Sequence, residues 1–99
     1  MKAFRFKNWQ QTAVLEDVPV PDPGPGETLI RMGGAGVCHS DLHVMYHWTP
    51  ETFPTVAHWS LPFTLGHENA GWVEGGDLGG LDVGAPVVIA PAWGCGRCR

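Results

Sequence analysis

The sequence predicts a mainly β domain with one short helix and long loops. Fourteen glycines and nine prolines in 99 residues are about twice the usual share, which suits short strands joined by tight turns. Several short runs alternate apolar and polar residues, the period of a half-buried strand. Pro19, Pro21, Pro23 and Pro25 fall at alternate positions, a spacing that neither a helix nor a central strand survives. Five or six strands are expected, arranged as a small barrel or sandwich.

The elements follow in order. Ala3-Phe4-Arg5-Phe6-Lys7 alternates as a strand does, and Asn8 to Gln11 reads as a turn. Thr12 to Val18 is a second strand, stopped by Pro19. The proline-rich run that follows is a stiff extended connector. Glu27 to Met32 is a third strand entering Gly33-Gly34-Ala35-Gly36, where glycines let the backbone bulge or approach another segment closely. Ser40 or Asp41 can cap a short helix over Leu42 to His47. Residues 48–61 show no clean period and read as a long loop. Asn69 to Glu74 is strand-like, 75–80 is a glycine-rich loop, and Pro86 to Ala90 is the most strand-like run of the chain.

Charge and cysteine content narrow the function. Six basic residues against ten acidic ones give a net charge of −4, and no basic run is present, so a nucleic-acid partner is not expected. No apolar stretch reaches the about 18 residues of a membrane span. The first apolar segment is interrupted by Lys2, Arg5 and Lys7, unlike a signal peptide, and a cytoplasmic location is the expectation. Three cysteines are an odd number for a disulfide framework, which favours metal or redox use.

Three groups of residues carry chemistry. Cys38-His39-Ser40-Asp41-Leu42-His43 packs a thiol, two imidazoles, a hydroxyl and a carboxylate into six positions. Taken singly, Cys38 is more often a small buried hydrophobe, but thiolate beside imidazole is also the donor chemistry of Zn²⁺. Gly66-His67-Glu68 reads alone as a surface pair. Together with Cys38 it offers two of the three protein ligands of a catalytic zinc, with a carboxylate of the kind that tunes such sites. His47 and His58 are weaker candidates for the third. Cys95-Gly96-Arg97-Cys98 is either a redox pair, which needs a following helix, or half of a Cys₄ zinc site. Two cysteines do not hold zinc, so the 99 residues are expected to be the front of a longer chain. Gly75-Gly76-Asp77-Leu78-Gly79-Gly80 lacks the spacing of a dinucleotide fingerprint. The aromatic residues Trp48, Phe53, Trp59 and Phe63 are read equally as core or as the wall of an apolar substrate pocket.

The order Pro-Gly-Pro-Gly-Glu, Gly-x-Cys-His-Ser-Asp-x-His, Gly-His-Glu-x-x-Gly, Val-Gly-x-x-Val and Gly-Cys-Gly-x-Cys resembles the zinc-dependent medium-chain alcohol dehydrogenases. The likeness runs from Lys2 to Cys98 and implies that residues 1–99 are the N-terminal part of their GroES-like catalytic domain. A partial β-barrel is then expected, with the nucleotide-binding Rossmann domain absent from this chain. The resemblance also implies roles. Cys38 and His67 would be catalytic zinc ligands, with Glu68 beside the metal and Asp41 orienting the imidazole of His67. Ser40 and His43 would pass the substrate proton to solvent, and His39 would meet the pyrophosphate of NAD or NADP. Cys95 and Cys98 would belong to a structural zinc lobe. The implied substrate is a small alcohol, aldehyde or ketone, and the implied assembly a dimer or tetramer of the full-length protein. Departures from the family pattern are Ala85-Pro86 after Val83-Gly84, a short 75–80 loop and a long 46–61 stretch. The alternative readings are a non-enzymatic ring-forming module and a zinc-free reductase on the same fold.

Overall fold

The computed structural model describes residues 1–91; Cys95 and Cys98 lie outside the described residues. The elements in order are β1 (Lys2–Phe6), β2 (Val14–Asp17), β3 (Thr28–Gly36), α1 (His39–Tyr46), a 3₁₀ turn (Pro54–Val56), β4 (Phe63–Thr64), β5 (Glu68–Gly76) and β6 (Pro86–Ile89). They belong to two compact units, one of Met1–Val20 with Val37–Gly66, the other of Pro21–Gly36 with the residues from His67 onward. Each contains an open three-stranded antiparallel sheet, β2-β1-β4 in the first and β3-β5-β6 in the second. No helix among the described residues is long and apolar enough to cross a membrane.

In the first unit, β1 pairs with β2 from Lys2↔Asp17 to Arg5↔Val14. That register sets Lys2 Nζ 2.5 Å from an Asp17 carboxylate oxygen, and Lys7 Nζ reaches Glu16 at 2.6 Å. Exposed pairs of this kind add little stability; their value is in favouring this register over a one-residue slip. Ala3 and Phe6 lie on opposite faces of the ribbon and both are buried. Phe6 meets Trp9 and Phe63 edge-on, with ring centroids 5.5 and 5.6 Å apart. Helix α1 adds Val44 and Met45 to this core. The Met45 sulfur accepts a bond from the Ala13 backbone N–H at 3.5 Å, and Tyr46 and Thr12 share a hydroxyl bond of 2.8 Å. The segment after the helix is more ordered than a plain loop. Thr49 and Thr52 exchange side-chain-to-backbone bonds of 2.8 and 3.2 Å, and the 3₁₀ turn sinks Val56 completely. The Leu61–Pro62 peptide is cis.

In the second unit, β3 runs four residues past the expected end at Met32. It pairs with β5 from Thr28↔Gly76 to Gly36↔Glu68, with register shifts at Leu29/Ile30 and Met32/Gly34. The glycine run therefore bulges, as expected, but stays in the sheet, because β5 supplies partners for its backbone groups. β5 likewise continues through Gly75 and Gly76, so the 75–80 loop begins two residues later than its glycines suggest. Trp72 lies on the exposed side of β5, with the Arg31 guanidinium 4.7 Å from its ring centre.

Candidate metal centre

Helix α1 begins three residues earlier than the sequence reading, which placed the cap at Ser40 or Asp41. Cys38 is the N-cap, in extended conformation, and Asp41 is the third helical residue. Asp41 Oδ2 accepts a hydrogen bond from the Cys38 backbone N–H at 2.9 Å, and the Asp41 N–H donates to the Cys38 carbonyl at 3.0 Å. Asp41 is thus the return half of a capping box rather than the cap itself. Its carboxylate also sits where the helix dipole favours negative charge. Asp41 is buried along the stripe that includes Val44 and Met45, so the side chain that holds the turn is itself held by the core. The consequence is a rigid placement of Cys38, which is half-buried at the helix entrance.

His39, Ser40 and His43 follow on the first turns of α1, His39 exposed and the other two half-buried. The rings of His39 and His43 are 4.9 Å apart, nearly perpendicular, and His43 also stacks on Trp48 at 6.3 Å with an interplanar angle of 25°. Trp48 in turn stacks on Phe53 at 4.5 Å and meets Trp59 at 6.4 Å, and Trp59 meets Phe63 at 5.5 Å. Trp48 and Phe63 pack against the buried core while Phe53 and Trp59 keep more than a third of their surface. The four aromatics therefore join the core at one end and face solvent at the other.

Glu68 opens β5 and His67 directly precedes it, His67 half-buried and Glu68 exposed. Two glycines place them. Gly66 has φ +120°, a conformation side-chain-bearing residues rarely adopt, and it turns the chain into His67. Gly36 is the Cα partner of Glu68, and the Glu68 carboxylate lies where a side chain on Gly36 would project. A methyl at position 36 would also come within 2.9 Å of the Glu68 Cβ, so only glycine fits this cross-strand pair without a shift. A glycine two residues before the cysteine is the signal that points to it.

The Gly36↔Glu68 pair ends the β3–β5 ladder. Cys38 follows Gly36 by two residues and His67 precedes Glu68 by one. Cys38, His67 and Glu68 offer one thiol, one imidazole and one carboxylate as ligand atoms, a donor set of the kind that suits zinc. His47 caps the C-terminal end of α1, and His58 is exposed in the segment after it.

These features define the chain as a mainly β protein of two open antiparallel sheets and one short helix. The sequence model described as the alcohol dehydrogenase GroES-like domain matches residues 24–99, and the chain belongs to that family. It is 42% identical over 99 residues to a D-arabinose 1-dehydrogenase (NADP(+)) of Saccharolobus solfataricus, covering 99% of this chain and 27% of that protein. It is 37% identical over 101 residues to an NAD-dependent alcohol dehydrogenase of Sulfurisphaera tokodaii, covering 99% of this chain and 29% of that one. The crystal structure of the alcohol dehydrogenase from Aeropyrum pernix superimposes with a TM-score of 0.80 at 38% identity, over 99% of this chain and 28% of its own. The chain thus spans less than a third of the length of these relatives.

Proposed function

We propose that this chain supplies the zinc- and substrate-binding part of an NAD(P)-linked alcohol dehydrogenase, which oxidises a small alcohol to an aldehyde or ketone. The observation that carries the reading is the end of the β3–β5 ladder, where Gly36 pairs with Glu68 and the chain leads directly to Cys38 on one side and His67 on the other. In this reading Cys38 and His67 hold zinc, with Glu68 beside it and Asp41 as the carboxylate that orients the site. When bound, zinc acts as a Lewis acid that makes the substrate hydroxyl far easier to ionise. The chain's own residues then handle the proton. Ser40 accepts it from the substrate hydroxyl, and His43, one helical turn on, carries it outward. His39 meets the cofactor pyrophosphate, while the nicotinamide is held by a separate nucleotide-binding domain. Cys95 and Cys98 contribute to a structural zinc lobe. The relatives' names span NAD and NADP and include an aldose as well as alcohols, so the substrate panel contains D-arabinose beside primary and secondary alcohols.

The test is metal analysis and nicotinamide absorbance on the protein that carries this chain. Cys38→Ala is expected to remove about one zinc per chain and to lower alcohol oxidation at least about a hundredfold. Unchanged zinc content in that variant overturns the assignment. His43→Gln is expected to slow oxidation most at low pH, with partial recovery in imidazole-type buffers. A rate indifferent to both substitution and buffer removes His43 from the proton route.

A further inference from the structure

Helix α1 carries histidines at every fourth position, His39, His43 and His47. The family role proposed above uses the first two and leaves His47 without one. Residues four apart on a helix share a face, and here the rings form a ladder. His39 and His43 are 4.9 Å apart between ring centres, and His43 and His47 are 5.2 Å apart with an interplanar angle of 50°.

These separations match those of imidazoles sharing one ion. A transition-metal ion sits about 2.0–2.1 Å from an imidazole nitrogen, and hence about 3.2 Å from the ring centre. Two rings on one ion are then about 4.5 Å apart at a right angle and about 5.2 Å apart at the tetrahedral angle. Both steps of the ladder fall in this range, but one ion cannot reach across both, because His39 and His47 are two helical turns apart, about 12 Å along the axis. His43 therefore pairs with one neighbour only.

Two observations choose between them. His47 is the C-cap of α1, and its backbone N–H bonds the His43 carbonyl at 2.9 Å. This is the negative end of the helix dipole, where a cation is favoured, whereas His39 opens the helix at the end that disfavours one. Trp48, whose own N–H bonds the same His43 carbonyl at 2.9 Å, stacks on the His43 ring. That contact restricts the ring before any ion arrives and reduces the entropy lost on binding. His47 is exposed, so an ion can enter from solvent and keep water at its remaining positions.

We propose that His43 and His47 form a two-histidine chelating site for a divalent transition-metal ion such as Ni²⁺, Cu²⁺ or Zn²⁺, separate from the zinc ligands assigned above. The site is exchangeable, since two protein ligands do not make a structural metal centre. In one respect it rests on the proposed function: if His43 carries the substrate proton, an ion held on its ring closes that route. The binding itself does not depend on that route.

Calorimetric titration with Ni²⁺ of the full chain, loaded with zinc and then cleared of weakly held ions by gel filtration, tests the site. One nickel site is expected. His47→Gln should weaken it at least about tenfold, and His47→Asn, which suits a helix C-terminus, should do the same with an unchanged circular dichroism spectrum. His39→Gln should stay within about twofold of the parent. The site should persist in Cys38→Ala, which separates it from the zinc assignment. Nickel binding unaffected by either His47 substitution, or lost in His39→Gln or Cys38→Ala, overturns the proposal.

Discussion

Phe6 and Val56 are fully buried in the first unit, and Ala3, Ala13, Val44 and Met45 nearly so. In the second unit Val73 is the one buried hydrophobic side chain among the described residues, while Val88 is 84% exposed and Trp72 39%. What the second unit has instead is a long backbone ladder, with β3 and β5 nine residues each and paired from end to end. One region is thus organised by side-chain packing and the other by main-chain hydrogen bonds. Packing tolerates irregular backbone, and the first unit accordingly holds the helix, the 3₁₀ turn and the long aromatic segment. A ladder demands regular backbone, and where the second unit departs from regularity it does so at bulges. The reactive side chains are found where the chain passes between the two kinds of organisation, at Cys38 just after β3 and at His67 just before β5.

Substitutions that remove packing should separate the two units most. Phe6→Ala is expected to cost about 3–5 kcal/mol, because it empties the position on which Trp9 and Phe63 close. Urea unfolding measures this, and a loss under about 1 kcal/mol would show that the first unit does not depend on its core. Val73→Ala should cost less, about 2 kcal/mol, since fewer methyl groups are lost and the strand backbone remains paired. A Val73→Ala loss equal to that of Phe6→Ala would reverse the comparison.

A smaller effect concerns the turn between β1 and β2. Gln10 has φ +57°, a left-handed conformation that costs an ordinary residue about 1–2 kcal/mol. Gln10→Gly should therefore stabilise the first unit by about 0.5 kcal/mol, after the added freedom of the unfolded chain is counted. Destabilisation on thermal unfolding would show that the Gln10 side chain contributes more than the strain removes.

The smallest effect is electrostatic. A hydrogen bond with the Thr49 side chain, and then its own backbone N–H, hold the Glu51 carboxyl below the ordinary glutamate range. The folded state therefore favours the ionised form. This contribution is fully present above the pKa of the unfolded residue and is lost as pH falls through the lower, folded value. Because Glu51 is on the surface, solvent screens it. Glu51→Gln should flatten the acid limb of the stability curve slightly, as read from urea midpoints between about pH 6 and pH 3. A steeper acid limb in the variant would contradict the sign.

β1, β2 and β6 were legible in the chain because their signals are local; β4, two residues long and paired only with β1, carries no such signal. Alternation marks β1, prolines stop β2, and the Val-Val-Ile run marks β6, each within a few residues of its observed bounds. The candidate site residues stand out for another reason: a thiol, imidazoles and carboxylates at Cys38, His39, Asp41, His43, His67 and Glu68 are uncommon neighbours whatever the fold. The helix start was missed by three residues. Asp41 can serve as a cap or as the return half of a capping box, and the choice depends on how its carboxylate meets the Cys38 backbone once the helix packs.

Residue type and short-range spacing thus sufficed for the fold class and for the inventory of reactive groups, since both follow from the chemistry of neighbours along the chain. Three features needed partners distant in sequence. β3 extends to Gly36 only because β5, more than thirty residues later, supplies its hydrogen bonds. Gly36 is required to be small only because Glu68 lies across from it. Phe6, which shares a face with the exposed Phe4, is buried because Phe63, Val44 and Met45, all far along the chain, close over it. In each case a long-range contact sets the free energy of a local choice, and no window of neighbouring residues contains that contact.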